Sequence, residues 1–228
     1  MLAYETKARK NGYSIIAGVD EAGRGPLAGP VVAAAVIFSQ EVTIKGLTDS
    51  KKLSKKQREK FYPIIIDKAE SHGIGIVDST VIDRINILQA TKKAMLQAVR
   101  RLNNSPDFLL IDGNQTIDWE GKQQVVVKGD NLSLSIAAAS VLAKITRDKI
   151  MEQLARYYPQ YGFENHKGYG SKSHMEALAK HGPCPIHRIT FRGVVEQTEN
   201  HKTSTSNMAK DFGKQLTLVQ SVINSSYK

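Results

Sequence analysis

Cysteine is nearly absent from this sequence of 228 residues, which contains only Cys184. A single cysteine excludes an intramolecular disulfide and a zinc site built from cysteine thiolates. Because this residue stands in a turn-forming segment, GPCP at residues 182–185, we predict that it is a small buried residue rather than a nucleophile.

Long hydrophobic runs are absent as well. The longest, residues 31–38, is far too short to cross a bilayer as a helix, which needs about 20 apolar residues. The sequence also begins without the pattern of a signal peptide. We therefore predict a cytoplasmic protein that makes no contact with a membrane.

Acidic residues are in the minority, because 22 Asp and Glu stand against 32 Lys and Arg, for a formal net charge of +10. Such an excess predicts a polyanionic partner. The densest basic run comprises Lys45, Lys51, Lys52, Lys55, Lys56, Arg58 and Lys60. A surface that receives nucleic acid and an ordinary solvated helix face both explain this run, and charge alone does not decide between them.

Hydrophobic periodicity predicts an α/β fold in which helices flank a mixed sheet. The predicted strands are residues 14–19, 31–38, 73–78, 108–112 and 124–128. The predicted helices are residues 55–69, 80–102, 132–157 and 171–181. The small residues that open the longest helix predict close approach by another segment, either in the core or from a nucleic-acid backbone.

The domain organisation follows from length and composition. We predict one domain over residues 1–199, a size that can bury a substantial core. An appendage over residues 200–228 would consist of a polar linker and a candidate C-terminal helix at residues 207–223.

The segment DEAGRGPLAGP at residues 20–30 carries the strongest functional signal. It places two adjacent carboxylates, Asp20 and Glu21, at the end of a predicted strand, followed by Arg24 between two glycines. Carboxylate oxygens bind hard divalent cations, and glycine lets bare backbone come close to a ligand. Carboxylates that can bind metal, a backbone that a ligand can approach and the cation of Arg24 together suggest phosphodiester chemistry. An ordinary strand end followed by a glycine- and proline-rich turn is the alternative.

The adjacent carboxylates impose a geometric requirement. Successive residues of a regular strand point to opposite faces, so Asp20 and Glu21 cannot both serve one site from such a strand. We therefore predict that the chain leaves extended geometry at about Glu21, where the following glycines permit it.

Two further acids stand at element boundaries. Asp112 ends a predicted strand, and Asp130 precedes the longest predicted helix. A turn and a helix N-cap are the structural alternatives for these two residues. Together with the first pair, in a basic protein that lacks clusters of His or Cys, they predict a carboxylate cage for two hard metal ions.

Asp148 is a rival for the fourth acid of that cage. It lies 18 residues after Asp130, which is about 27 Å along a continuous helix. Both carboxylates therefore cannot reach one metal pair. Lys144, four residues earlier, is a suitable surface partner for Asp148 on a helix.

Six motifs occur in a fixed order along the chain. They are DEAGRGP at 20–26, DSKKL at 49–53, IDG at 111–113, KGD at 128–130 with SIAAAS at 135–140, GYG at 168–170, and HR at 187–188. With these motifs the chain resembles type 2 ribonuclease H, and specifically bacterial-type ribonuclease HII, up to about residue 195. The related type 3 enzymes usually have Gly-Lys-Gly where this sequence has Gly-Arg-Gly.

The resemblance implies an RNase H-like fold and a site for two Mg²⁺ or Mn²⁺ ions. The catalytic and metal-binding acids that it implies are Asp20, Glu21, Asp112 and Asp130. It thereby selects Asp130 over Asp148 as the fourth acid.

The resemblance also implies how substrate is recognised. The residues that would read the ribose-to-deoxyribose junction are Gly23, Arg24, Gly25 and Tyr169. A 2′-OH distinguishes RNA from DNA, and the backbone of a glycine turn can form a hydrogen bond with it. Lys51 and Arg188 would contact phosphates. His166 and His187 would be structural, because metal activation of water can replace a general base.

The implied activity is that of a metal-dependent endonuclease. It would hydrolyse the RNA strand of RNA–DNA hybrids and nick DNA on the 5′ side of embedded ribonucleotides, leaving 5′-phosphate and 3′-hydroxyl ends. Its partners would be RNA–DNA hybrid and DNA containing ribonucleotides, with no obligate protein partner, and we expect a monomer.

Two other functions fit parts of the sequence. A non-catalytic module that binds RNA–DNA hybrids would need one of the four acids to be missing, and none is. A metal-dependent phosphomonoesterase would use the carboxylates but would leave the basic surface and Tyr169 without a purpose.

Overall fold

Two compact units make up the computed structural model, which describes residues 1–39 and 42–200. The sheet unit comprises Met1–Ala22, Val31–Val77 and Leu88–Ile145. The loop unit comprises, within the described chain, Gly23–Pro30, Asp78–Ile87 and residues 146–200. The predicted linker and the candidate helix at residues 207–223 lie outside the described residues.

The sheet unit is built on five strands. They are β1 (Ile16–Ala22), β2 (Val31–Phe38), β3 (Ala69–Val77), β4 (Phe108–Asp112) and β5 (Lys122–Val126). Their order in the sheet is β3-β2-β1-β4-β5. The pairs β1/β2 and β2/β3 are antiparallel, whereas β1/β4 and β4/β5 are parallel. The predicted mixed sheet is therefore confirmed.

Seven helices accompany the strands in the described chain. They are α1 (Ala3–Lys10), α2 (Lys55–Lys68), α3 (Ser79–Arg100), α4 (Leu134–Tyr157), α5 (Phe163–His166), α6 (Lys172–His181) and α7 (Val195–Asn200). No helix of the described chain is both long enough and apolar enough to span a membrane.

Helix α2 begins where the sequence predicts. The Ser54 side chain accepts a hydrogen bond from the Gln57 amide at 3.2 Å, and the Gln57 side chain accepts one from the Ser54 amide at 2.8 Å. This capping box satisfies two amide groups that the first helical turn leaves without partners.

Strand β1 extends further than predicted. The expectation that the chain leaves extended geometry at Glu21 is wrong, because Glu21 pairs with Ala33 and Ala22 pairs with Val32 on the neighbouring strand β2. The strand ends instead at Gly23, whose φ of +95° is in the region that favours glycine. Hydrogen-bonded pairing with β2 therefore extends the strand to Ala22, although the glycine-rich segment that follows favours a turn.

Other departures have similar tertiary causes. Strand β5 begins two residues before the predicted one because it is an edge strand, where polar residues are tolerated. Helix α3 is kinked at Asn86, with φ 65° and ψ 165°, a strained backbone region that is populated almost entirely by glycine. Helix α1 has no predicted counterpart, and its Glu5 carboxylate accepts a hydrogen bond from the Ser135 amide at 3.0 Å.

The start of α4 packs directly on β1. A Cβ added to Gly18 would lie 2.2 Å from the backbone carbon of Ser135, so only glycine fits there. The alanines at residues 137–139 are fully buried in the core, which confirms core packing as the role of these small residues. Asp20 lies two residues beyond Gly18, on the same face of the strand.

We predict that Gly18→Ala destabilises the protein by about 1–3 kcal/mol, because the new methyl group would overlap backbone that cannot move independently. Urea unfolding followed by circular dichroism measures this loss. Gly25→Ala is the matched control, since a Cβ at Gly25 would meet no atom closer than 3.9 Å. Equal stability of the two variants would show that α4 does not rest on β1 as described.

Candidate active site

Three carboxylates meet at one place in the sheet unit. Asp20, Asp112 and Asp130 each contribute an oxygen that lies within 4.8 Å of the other two. Asp20 and Asp130 are buried, and Asp112 is half-buried. All the donors are oxygens, which are the ligands that Mg²⁺, Mn²⁺ and other hard cations prefer.

Secondary structure explains why these three acids meet. Asp20 lies near the end of β1, and Asp112 ends β4, which runs parallel to β1 as its neighbour. The carboxyl ends of adjacent parallel strands lie at the same edge of a sheet. Asp130 arrives in a 3-10 turn, Gly129–Asn131, and the Gly129 amide donates a hydrogen bond to Asp112 Oδ1 at 2.7 Å.

The alternative role of Asp130 as a helix N-cap is excluded by this geometry. Helix α4 begins at Leu134, and it is Ser133 Oγ that accepts a hydrogen bond from the Ile136 amide at 3.2 Å. Asp148 lies further along α4 and is not a member of the acidic cluster.

Glu21 does not join the three aspartates. It follows Asp20 in regular strand geometry and therefore points to the opposite face of β1. Within the described residues the cluster that satisfies the distance criterion contains Asp20, Asp112 and Asp130 only. The charge of Glu21 still acts on Asp20, as the pKa of Asp20 shows.

Burial and mutual repulsion govern the electrostatics of the cluster. Burial raises the pKa of Asp20 well above its usual value, and the negative charges of Glu21 and Asp112 raise it further. The pKa of Asp130 rises to about 6, mainly through burial and then through the charges of Asp112 and Asp49. Asp20 and Asp130 are therefore costly to keep ionised in this cluster. A divalent cation relieves that repulsion, so these residues fit a metal site.

Lys51 is the cation nearest to the acids in electrostatic terms. Burial is the largest single influence and would lower its pKa, but the negative charges of Asp20, Asp49, Asp130 and Asp112 together outweigh burial and raise the pKa. The Lys51 side chain thus stays protonated at neutral pH while remaining exposed at the surface.

Asp49 is a functional candidate that our sequence reasoning missed. Its Oδ1 accepts a hydrogen bond from the Lys51 amide at 2.8 Å, and its side chain also interacts with Asp130. The next residue, Ser50, forms a hydroxyl–hydroxyl hydrogen bond of 2.8 Å with Ser140 of α4. The signal was available, because Asp49 opens the DSKKL motif at residues 49–53.

The loop unit contains the Gly-Arg-Gly segment, in which the two glycines differ. Gly23 is buried, has a φ of +95°, and would place a Cβ 2.1 Å from Arg147 Nε. Gly25 is exposed, and a Cβ there would meet only the Tyr169 ring at 3.9 Å. Folding therefore requires glycine at position 23, whereas nothing within the described chain requires it at position 25.

Arg188 lies beneath this loop. Its side chain is fully buried, and its nitrogens donate hydrogen bonds to three backbone carbonyls, those of Gly29 at 3.0 Å, Arg24 at 2.9 Å and Gly23 at 2.6 Å. The prediction that Arg188 contacts phosphate does not fit this arrangement, because the guanidinium is enclosed and already bonded. Its place in the structure is that of a support for the loop.

Arg147 supports the same loop from a second position and was also missed. It is fully buried and donates hydrogen bonds of 3.0 Å to the carbonyls of Pro30, Lys167 and Ala28. Burial lowers the pKa of Arg147 to about 10 and that of Arg188 to about 9, so both stay charged at neutral pH. The signal in the sequence is an arginine among the small and apolar residues of a long helix.

Tyr169 lies in the same unit as the Gly-Arg-Gly segment, between Gly168 and Gly170. The residue is 47% exposed, and the Arg147 guanidinium carbon lies 5.9 Å from the ring centroid. The Tyr169 backbone is held on both sides. Its amide donates to the His166 carbonyl at 2.9 Å, and its carbonyl accepts from the Ser171 amide at 2.8 Å.

Cys184 and the histidines lie under this segment. Cys184 is buried, as predicted, and burial raises the pKa of its thiol to about 12, a value that makes it a poor nucleophile. His187 is buried too, and its Nε2 lies 3.1 Å from His174 Nε2. The aromatic ring of Phe163 packs against this pair.

Comparisons of sequence and of fold both relate this chain to ribonucleases H. Residues 17–194 match the family described as Ribonuclease HII. The chain is 58% identical over 191 residues to the ribonuclease HII of Acetivibrio thermocellus, covering 84% of this chain and 75% of that one. It is 55% identical over 194 residues to the ribonuclease HII of Bacillus subtilis, covering 85% and 76%. The crystal structure of the ribonuclease H2 from Pyrococcus horikoshii superposes with a TM-score of 0.69 at 27% identity, covering 82% of this chain and 99% of that one.

Divalent cations are expected to raise the melting temperature of the wild-type protein, because binding to the native acids stabilises the folded state. Asp112→Asn keeps an oxygen for the Gly129 amide but removes one negative charge. This variant should melt higher than wild type without metal and gain little from Mn²⁺ or Mg²⁺. Differential scanning fluorimetry with and without each ion measures both effects.

Asp67→Asn provides the control for that experiment, because Asp67 is exposed on α2 and is not part of the acidic cluster. It should gain as much from metal as wild type does. A metal gain that survives in Asp112→Asn would contradict the assignment of the site.

Acid should destabilise the protein through His187. Burial, followed by the neighbouring His174, lowers the pKa of His187 to about 3, whereas an unfolded histidine titrates near 6.5. Between pH 3 and pH 6.5 this histidine binds a proton in the unfolded state but not in the folded state. The contribution of neutral His187 to the free energy of unfolding is therefore present above pH 6.5 and is lost as the pH falls below it. For one proton the slope is up to about 1.4 kcal/mol per pH unit.

Urea unfolding at pH 5 to 7 tests this expectation against His187→Asn, which keeps an acceptor for the Cys184 amide but does not titrate. The variant should lose less stability than wild type over this interval. Parallel curves for the two proteins would mean that His187 is not held neutral in the folded state.

Proposed function

The chain belongs to the ribonuclease HII family and is a ribonuclease H that acts on RNA–DNA hybrids, and we propose that it also nicks DNA at embedded ribonucleotides. The nick lies on the 5′ side of the ribonucleotide. Water attacks the phosphorus, the bond to the 3′ oxygen breaks, and the products carry a 5′-phosphate and a 3′-hydroxyl. We also propose that the protein works in the cytoplasm as a monomer.

The family to which this chain belongs depends on divalent metal. The residues that would hold the metal are Asp20, Asp112 and Asp130. When bound, Mg²⁺ or Mn²⁺ lowers the pKa of water and stabilises charge on the leaving oxygen. Glu21 remains the fourth catalytic acid that the family motif implies, but it points to the opposite face of β1, so we propose that it acts through its charge on Asp20 rather than as a ligand beside the three aspartates. The observation that carries the proposal is the approach of three carboxylate oxygens to within 4.8 Å of one another.

The basic groups have a separate task in this proposal. Lys51 carries a positive charge beside the acids, where it attracts the scissile phosphate and offsets the negative charge that the acids present to it. The exposed lysines Lys55, Lys56 and Lys60 of α2 extend a positive surface for the rest of the nucleic-acid backbone.

Recognition of the ribonucleotide is assigned to the loop unit. The amide and carbonyl of Gly25 form no hydrogen bond within the described chain, and the residue is exposed. Such a backbone group can bind a 2′-OH directly. Arg24 presents a cation beside it, and the exposed ring of Tyr169 can pack on the following sugar, where a 2′-OH would collide.

The decisive experiment uses a labelled DNA duplex that contains one ribonucleotide, incubated with Mg²⁺ or Mn²⁺. Wild type should cut on the 5′ side of the ribonucleotide, and Asp112→Asn should not. The 5′-labelled fragment should end in a 3′-hydroxyl, which a DNA polymerase can extend. Tight binding without cutting by the wild-type protein would favour a hybrid-binding module instead.

A salt titration separates the nuclease from a phosphomonoesterase. Association of a basic surface with nucleic acid releases counterions, so binding to the duplex should weaken steeply as salt rises. Turnover of a small phosphomonoester involves few such contacts and should respond much less.

Gly25→Ala should retain wild-type stability and lose activity at the single ribonucleotide. A methyl group fits the free protein at this position but obstructs the approach of a sugar to the backbone. We expect kcat/KM for the single-ribonucleotide duplex to fall by about tenfold or more, the effect of one lost hydrogen bond with added steric conflict.

Gly23→Ala is the contrasting variant, because that substitution overlaps Arg147 and should lower stability before it affects recognition. Unchanged kinetics in Gly25→Ala would exclude the Gly25 backbone from the ribonucleotide site.

A further inference from the structure

We propose that His174 and His187 form a neutral hydrogen-bond relay, starting at the Cys184 amide, that fixes the Tyr169 peptide and so positions the ring that reads the junction. The inference deepens the proposed function and rests on the assignment of Tyr169 to substrate recognition. His174 and His187 are positioning residues in this account, since their side chains are buried.

The direction of the relay is set at its first step. The Cys184 amide N–H points at His187 Nδ1 over 2.9 Å, and an amide N–H can only donate. His187 Nδ1 is therefore an acceptor without a proton. The Cys184 carbonyl also lies 3.3 Å from this nitrogen, but that carbonyl already accepts the shorter bond from the His187 amide at 2.9 Å.

The remaining protons follow from the first. A neutral imidazole without a proton on Nδ1 carries it on Nε2, so His187 Nε2 donates to His174 Nε2 across 3.1 Å. His174 is then protonated on Nδ1, which donates to the Tyr169 carbonyl at 2.9 Å. Reversing any one bond would set two N–H groups, or two lone pairs, against each other.

Both imidazoles remain neutral in this environment. No carboxylate of the described chain forms an ion pair with His174 or His187, and the Phe163 ring packs against both, at 5.4 and 5.6 Å between ring centroids. Burial lowers the pKa of each. A relay of this kind therefore holds its direction at neutral pH.

Tyr169 needs such an external support because its neighbours are glycines. Gly168 has a φ of +84°, and a Cβ there would lie 2.6 Å from the Ala28 carbonyl oxygen. Glycine neighbours leave the peptide free to rotate unless other groups hold it. The Tyr169 carbonyl accepts one bond from the Ser171 amide at 2.8 Å and a second from His174 Nδ1 at 2.9 Å. The imidazole thus adds a side-chain bond to the backbone bond at this peptide, whose orientation sets where the ring projects.

Two substitutions of His174 separate the two ends of the relay. Asparagine places an N–H near the position of Nδ1 and can still reach the Tyr169 carbonyl. Glutamine extends to the position of Nε2, where it meets His187 instead. Both variants are polar and similar in chemistry, so a difference between them reports on the contact with Tyr169.

The readout is the ratio of kcat/KM for a duplex with one ribonucleotide to kcat/KM for a continuous RNA–DNA hybrid. Only the first substrate presents a deoxyribose directly after the ribose. We expect His174→Gln to lower this ratio by about tenfold, the effect of one lost hydrogen bond, and His174→Asn to keep it within about threefold. Equal ratios in the two variants would overturn the inference.

A double-mutant cycle with Tyr169→Ala isolates the coupling. If the relay acts through Tyr169, His174→Gln should have no further effect on the ratio once the ring is removed. The same loss in both backgrounds would contradict the inference. If Tyr169→Ala alone has the same ratio as the wild-type protein, Tyr169 does not read the junction. That result would be a failure of the proposed function, and it is distinguishable from a failure of the relay.

The tautomers give a test that needs no variant to fold. Nitrogen-15 chemical shifts of the imidazole rings in the wild-type protein at pH 7 should show a proton on Nδ1 of His174 and on Nε2 of His187. The opposite tautomer at either residue, or a charged ring, would overturn the proposal.

Discussion

Repulsion among three closely spaced carboxylates is the constraint on which the sheet unit depends. Asp20, Asp112 and Asp130 are held together by elements that are themselves fixed by the core, namely two parallel strands and the turn before α4. Burial raises the pKa of Asp20 and Asp130, and the negative charge of Asp112 raises both further. The fold thus maintains a site whose electrostatic cost a hard cation removes.

The loop unit solves a different problem, which is to give a glycine-rich segment one conformation. Two buried arginines do this by donating to carbonyl groups, including those of Gly23, Arg24, Ala28 and Pro30. Because the carbonyls turn toward the guanidinium groups, the exposed residues at the tip are left for a ligand. Neither arginine forms an ion pair with a carboxylate of the described chain, and each nitrogen of both guanidinium groups donates a hydrogen bond to a backbone carbonyl, which offsets the cost of burying the charge.

Much of this architecture was predictable from local pattern. Strands β2 and β4 follow short apolar runs and have the predicted bounds, Val31–Phe38 and Phe108–Asp112. The start of α2 follows from Ser54 and Gln57. The three aspartates were selected because each stands where an element ends, and the structure brings them together.

The remainder depends on contacts that no local pattern encodes. The path of β1 through Glu21 is decided by pairing with β2, so the two adjacent acids point to opposite faces. Arg188 was assigned to phosphate from the family resemblance, through the HR motif at residues 187–188. Its burial is set by the carbonyls of a loop more than 150 residues away in sequence. The relay through His174 likewise depends on which nitrogen faces which partner.

The most direct test of the central claim is to locate the metal. Crystals grown with Mn²⁺ and measured near the manganese absorption edge should show anomalous density bounded by carboxylate oxygens of Asp20, Asp112 and Asp130. Asp112→Asn crystals treated in the same way should lose that density or show it strongly reduced. Manganese bound elsewhere, with these three carboxylates contacting only protein and water, would contradict the account.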